Sequence, residues 1–151
     1  MNRFIFVLIL LTFVGCNEQK ARHKGFLQAG LFPCDDTSNS CRSSFNTSND
    51  KWSVEPIKYT EPADVAKEKL TKIILKYPNA RILTLGPTYL TVEFKTSYKV
   101  FDLYDDAEFL MMPERQEIHV RIESRSKLPD FGRIGRLIEE IRFKYFQNDV
   151  N

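Results

Sequence analysis

"AEFLMMPERQEIHVRIE", Ala107 to Glu123, carries two alternating runs separated by a proline. Ala107, Phe109 and Met111 alternate with Glu108 and Leu110; Ile118, Val120 and Ile122 alternate with His119, Arg121 and Glu123. A period of two places each set on one face of a strand. Met112-Pro113-Glu114 is a break of hairpin length, so the strands are expected to pair antiparallel. Working outward, Leu90, Val92 and Phe94 alternate with Thr91, Glu93 and Lys95, and Ala80 to Leu85 runs up to a second break at Gly86-Pro87. That makes four strands in an antiparallel sheet, apolar on one face and expected to be solvated on the other.

On either side of the strands the period changes to that of a helix. Thr60 is expected as an N-cap, with Glu61, Pro62 and Asp64 in a first turn that favours acid and tolerates proline. Ala66, Leu70, Ile73, Ile74 and Tyr77 follow at helical spacing, and Pro78-Asn79 ends the run. A last helix is expected from near Asp130 to about Gln147, with Ile134, Leu137, Ile138, Ile141 and Tyr145 on its apolar stripe. The order helix, four strands, helix predicts an α+β domain whose two helices lie on one face of the sheet. Before it, Phe26 to Lys58 reads as a long loop. Ser, Thr, Asn and Asp are dense from Asp35 to Asp50, while Trp52, Val54, Pro56, Ile57 and Tyr59 offer apolar handles to lay the stretch across a core.

The amino terminus gives an address. Met1-Asn2-Arg3 is basic, and Phe4 to Val14 is apolar except for Thr12, well short of the roughly 20 residues a spanning helix needs. That is the pattern of a secretory signal. Phe13-Val14-Gly15-Cys16 resembles the lipobox of bacterial lipoproteins, in which the cysteine becomes the acylated first residue. An ordinary signal with an incidental cysteine is the other reading. By resemblance to lipoprotein sorting, Asn17 in place of Asp sends the protein to the outer membrane, facing the periplasm, in a cell that has one. The expected organisation is a leader over 1–15, a lipidated tether over 16–25 and one α+β domain over 26–151. Lys20, Arg22 and Lys24 in the tether either lean on anionic headgroups or serve solubility alone.

If Cys16 carries lipid, Cys34 and Cys41 remain as a pair in "PCDDTSNSCRSS". In an oxidising compartment they are expected to form a disulfide. On the chain-entropy account a ring of this size contributes about 2.5 kcal/mol. Zinc is the rival, but two thiols without a second pair or a suitable histidine fit it badly. Lys and Arg number 22 against 20 Asp and Glu, and Arg3 goes with the leader, so no field is left to draw nucleic acid.

"PCDDTSNSCRSS", "TYLTVEF", "YDDAEF" and "RIESRSKLPDFGRIGRLIEEIR" resemble, in order, the blocks of the domain-of-unknown-function 1499 family of bacterial and plastid proteins, over about Leu31 to Arg142. The resemblance implies a shared fold and an unassigned role. The chain departs from the family pattern where Ser40 separates Asn39 from Cys41, and at Ile122, Lys127 and Gly135.

Charged residues in those blocks are the candidates for a site. Asp105, Asp106 and Glu108 crowd one strand, and Arg121, Arg125, Arg133 and Arg136 lie on the last strand and final helix. Glu108 and Arg121, each out of phase with its strand's apolar set, are expected to share the solvated face. Two readings stand. One is a structural ion-pair network. The other is an anion site in which Asp130-Phe131-Gly132-Arg133 opens a helix N-terminus and nearby arginines grip a phosphate or carboxylate, as on a phospholipid headgroup or small envelope molecule. Catalysis has less support. His23 falls in the tether, and His119, on the polar phase of a strand, reads as a solvated histidine. Of the carboxylates only Asp106 and Glu108 share a face. No metal, nucleotide or other cofactor pattern is present. The functional expectation is a lipid-anchored envelope binding module for an anionic ligand, with a structural partner docking on another envelope protein as the alternative and a small hydrolase third.

Overall fold

The computed structural model describes residues 21–28, 30–45 and 51–147. The expected leader, Cys16 and the first part of the expected tether lie outside them, as does Asn46 to Asp50 of the polar loop. The chain order is β1 (Phe26–Leu27), β2 (Gly30–Leu31), β3 (Cys41–Ser43), β4 (Ile57–Lys58), α1 (Ala63–Leu75), β5 (Ala80–Leu85), β6 (Tyr89–Ser97), β7 (Asp102–Met112), β8 (Glu117–Ser124) and α2 (Arg133–Gln147). The fold is mixed α+β with two helices and a largely antiparallel sheet. β5 to β8 form the expected meander. Its turns are closed by hydrogen bonds from Gly86 N to Tyr89 O, from Tyr98 N to Phe101 O and from Gln116 N to Pro113 O, the last with Gln116 at φ 52°.

The main sheet has six strands rather than four, in the order β3-β8-β7-β6-β5, with β4 also pairing β8. β3 and β4 come from the segment that reads as loop. They lie one after the other along the outer edge of β8, Cys41 to Ser43 opposite Glu123 to Arg121 and Ile57 opposite Ile118. Both cover N–H and C=O groups that an edge strand would leave unpaired. At two and three residues they are too short to show a period. The apolar handles do pack: Trp52, Ile57 and Tyr59 are buried and Val54 lies against the core.

Leu90, Val92, Phe94, Ala107, Phe109, Met111, Ile118, Val120 and Ile122 share one buried cluster with Ala66, Leu70, Ile73 and Ile74 of α1 and Ile134, Ile138, Ile141 and Tyr145 of α2. α1 starts two residues later than expected. Thr60 does not cap it, and Pro62 stands at the N-cap position with no side-chain cap. The physical reason is local: a residue before proline is disfavoured in the α region, which keeps Glu61 outside the helix. Glu61 instead accepts hydrogen bonds from Thr60 N and from the Tyr145 hydroxyl of α2.

The second face of the sheet is not solvated. Asp106, Glu108 and Arg121 are fully buried, and Glu93, His119 and Glu123 are less than a tenth exposed. Residues 22–28 and 30–45 cover them. β1 and β2 pair as a small separate ribbon, the Phe26 ring packs on Tyr89 at 4.9 Å and the Phe45 ring on His119 at 5.2 Å. The Cys34–Cys41 disulfide is formed, which removes the zinc alternative for that pair. It staples the covering layer where β3 joins the sheet.

Candidate functional site

Antiparallel register sets the charged residues in rows. Arg81, Glu93, Asp106, Glu123 and Cys41 follow one another across β5, β6, β7, β8 and β3; Thr91, Glu108, Arg121 and Ser43 form the next row. Three carboxylates directly opposite one another would repel. Two arginines turn this repulsion into a lattice. Arg125 donates from Nε and Nη2 to the two oxygens of Asp106, at 2.9 and 2.7 Å, and from Nη2 to Glu93 Oε2 at 2.5 Å. Arg121 donates to Glu108 Oε2 at 3.0 Å and to Glu123 Oε2. At the rim, Arg81 pairs with the other oxygen of Glu93. Hydrogen bonds to Asp106, set against burial, raise the Arg125 guanidinium above its ordinary value.

Four buried carboxylates, Glu93, Asp106, Glu108 and Glu123, face two buried guanidiniums, so neutral donors complete the layer. The Tyr89 hydroxyl donates to Glu108 Oε1. Burial, then this bond to a carboxylate, pushes the Tyr89 phenol well above its ordinary range. Two further donors are backbone groups from the covering segment: Gly25 N–H to Glu108 Oε1 and Arg22 N–H to Asp106 Oδ2, each at 2.7 Å. Residues 22–25, expected to end a tether, therefore lie across the carboxylates. Just outside the layer the Lys24 ammonium, hydrogen-bonded to Asp35, holds that carboxyl below its usual value.

The sheet divides the sequence candidates in two. Asp106, Glu108, Arg121 and Arg125 come together on the second face. Asp105, in phase with the core set, is fully buried on the helical side, where the Arg133 guanidinium binds both of its oxygens. That bond, opposed by burial, raises the Arg133 guanidinium. Asp130 accepts from Gly132 N and Ile134 N, so its carboxylate occupies the donors that an anion at the start of α2 would use. Arg136 is exposed and donates to Phe131 O. His119 is buried rather than solvated: Nδ1 lies 3.2 Å from both Ser44 Oγ and Ser44 O, and Nε2 3.1 Å from Glu117. Ile122, one of the departures, is a core residue, while the Gly135 position opens onto free space. Ser40, another, is buried and donates to Leu128 O at 2.5 Å, tying the disulfide loop to the turn before α2.

Sequence reasoning missed Glu93, Glu123, Tyr89 and the backbone of residues 22–25. Glu93 and Glu123 were accessible in principle, since both fall on the phase of Asp106 and Arg121 once register is known. A backbone N–H has no residue signature at all. Among the described residues no three His, Cys, Asp or Glu side chains gather to hold a metal ion, and no helix is long and apolar enough to cross a membrane. An open groove along α1, lined by Val65, Lys69, Lys72, Ile73, Leu75 and Lys76, includes none of the candidate residues.

The family described as "Protein of unknown function (DUF1499)" matches residues 30–144. No curated protein and no solved structure matches the chain.

Proposed function

We propose that this chain, which belongs to the DUF1499 family, is a lipid-anchored cell-envelope protein that works as a docking module for another envelope protein. The observation that carries the reading is the pairing of the arginines. Arg121, Arg125 and Arg133 each hold carboxylates of the same chain, two of them in a buried layer. An anionic ligand would have to displace these partners and leave charges buried without compensation, which is strongly unfavourable. What the fold presents instead is the outside of the covering layer. Asp35, Asp36 and Thr37 are exposed at the tip of the disulfide ring, and the ring is held from beneath by Trp52 Nε1–H to Ser38 O at 2.9 Å. A braced polar knuckle loses little conformational entropy on binding.

In this reading acylated Cys16 keeps the domain at the membrane, on the periplasmic side of an outer membrane where there is one. The anionic-ligand reading keeps one supporting observation: Arg121 Nε is buried and has no hydrogen-bond partner among the described residues. The test uses the full chain expressed in bacteria. The mass of the amino-terminal peptide reports acylation, and crosslinking in cells from a photoreactive group at exposed Thr37 reports a partner. Acylated Cys16 and one protein adduct, lost on changing Asp35 and Asp36 to alanine, are expected. An unmodified Cys16 refutes the anchor. A small anionic molecule retained in native mass spectra and lost on Arg121→Met, with no protein adduct, refutes the docking reading in favour of the ligand.

A further inference from the structure

Large apolar side chains stand exposed at one end of the sheet. β7 begins at Asp102 and β8 ends at Ser124, opposite Asp105. The β6–β7 turn, Tyr98–Phe101, and the loop 127–131 therefore project beyond the same end, and Tyr98 is close enough to Arg133 to act on its charge. Val100 and Phe131 are each 85% exposed and Leu128 60%, with Tyr98 and Phe101 about half exposed and stacked at 5.0 Å. Phe131 has φ 49° and Gly132 φ 77°. A left-handed backbone is unfavourable for a bulky side chain, and here the ring it holds out touches no core.

The charges at this end are positive and available. Lys99 and Lys127 are exposed and make no ion pair among the described residues, whereas Asp102 is paired with Lys95 and Asp130 accepts from the backbone of α2. Chain direction supplies the second argument. Gly25 sits at Glu108 and Arg22 at Asp106, two residues nearer the β6–β7 turn, so toward its start the chain heads for the exposed end. Six residues from Arg22 back to Cys16 reach at most about 20 Å. Six residues of strand and turn from Asp106 to Val100 span a similar distance, about 20 Å.

We propose that Tyr98, Val100, Phe101, Leu128 and Phe131, flanked by Lys99 and Lys127, seat this end of the domain on an anionic lipid bilayer. Aromatic tips favour the headgroup region, and each basic residue near an anionic surface strengthens partition about fivefold. The chain direction matters to the proposal through the reading of Cys16 as the anchor, on which this inference in part rests.

The test separates the two. Full chains carrying Phe131→Trp or Val100→Trp are mixed with excess vesicles of phosphatidylglycerol and phosphatidylcholine that contain brominated lipid, and the acyl state of Cys16 is read by mass on the same preparations. The buried native Trp52 is the internal control. Blue-shifted tryptophans at 131 and 100, quenched at least twofold while Trp52 is not, are expected, as is a fall in vesicle partition of about 30-fold for the unacylated Cys16→Ser chain on changing Lys99 and Lys127 to glutamine. An acylated chain whose new tryptophans are unquenched overturns the inference and leaves the anchor standing. Quenching in a chain with no acyl group supports the inference and removes the anchor. Crosslinks from residue 131 to a protein, with no quenching, also overturn it.

Discussion

Arg121→Met removes one guanidinium from the buried layer and keeps most of its volume. The arginine is fully buried and holds Glu108 and Glu123 at once. Breaking a buried pair from one side typically costs about 3–5 kcal/mol, because the partner is left charged without compensation. Two features place this site near the lower end of that range. Nε has no partner among the described residues, so part of the desolvation cost is already uncompensated; and Glu108 keeps the Tyr89 hydroxyl and Gly25 N–H. We expect a loss of about 3 kcal/mol, against a total of about 5–15 kcal/mol for an ordinary domain. For a domain of this size that is a fall of about 10 °C in Tm. Urea unfolding followed by circular dichroism, with the disulfide intact, measures it. The double variant Glu108→Gln/Arg121→Met must be less destabilised than the two single losses added together, because removing Glu108 removes half of what the arginine compensates. A loss below about 1 kcal/mol, or a strictly additive double variant, would refute the account of this layer as mutually compensated.

Arg133→Ala leaves Asp105 buried and unpaired, and is expected to cost about 3 kcal/mol, whereas exposed Arg136→Ala should stay within about 0.5 kcal/mol; equal losses in urea would contradict the division between them. Cys34→Ser with Cys41→Ser should lower stability by about 2.5 kcal/mol on the chain-entropy account, read by the same unfolding curves without reductant. Gly30→Ala should cost about 1–3 kcal/mol by overpacking, because Gly30 has φ 136° and an added Cβ runs into the Phe45 ring; an unchanged midpoint would show that the covering layer is not packed as described. Stability should fall as pH rises above about 10. Burial, with Glu108 beside it, raises the Tyr89 phenol, so the unfolded chain releases that proton first; Tyr89→Phe should flatten this alkaline limb, and an unchanged limb would remove Tyr89 as its cause.

Much of the architecture is legible in the residues because burial imposes a period. The alternation in β6, β7 and β8 named nine sheet residues of the core shared with the helices, and the helical spacing named most of their partners. Glu108 and Arg121 were placed together by phase alone, and their side chains do meet. The failures cluster where no period exists. β3 and β4 are two or three residues long, and the layer over the second face is built from turns, a disulfide ring and single aromatic contacts. His119 shows the consequence: its phase is right, but the burial inferred from that phase is wrong, because Ser44 and Phe45 come from 75 residues earlier to cover it.

Local residue pattern suffices for the helices, the four long strands, the residues that share each strand face, and the pairing of Cys34 with Cys41 in an oxidising space. Side-chain period and local turn chemistry act within a few residues and can be read there. Long-range packing sets the rest: the polar face is buried, Arg133 serves Asp105 across the sheet from Arg121, and the backbone of Arg22 and Gly25 completes the carboxylate layer. Alternation says which residues look the same way but carries no information about what lies over them, and a backbone N–H is the same donor in every residue that has one.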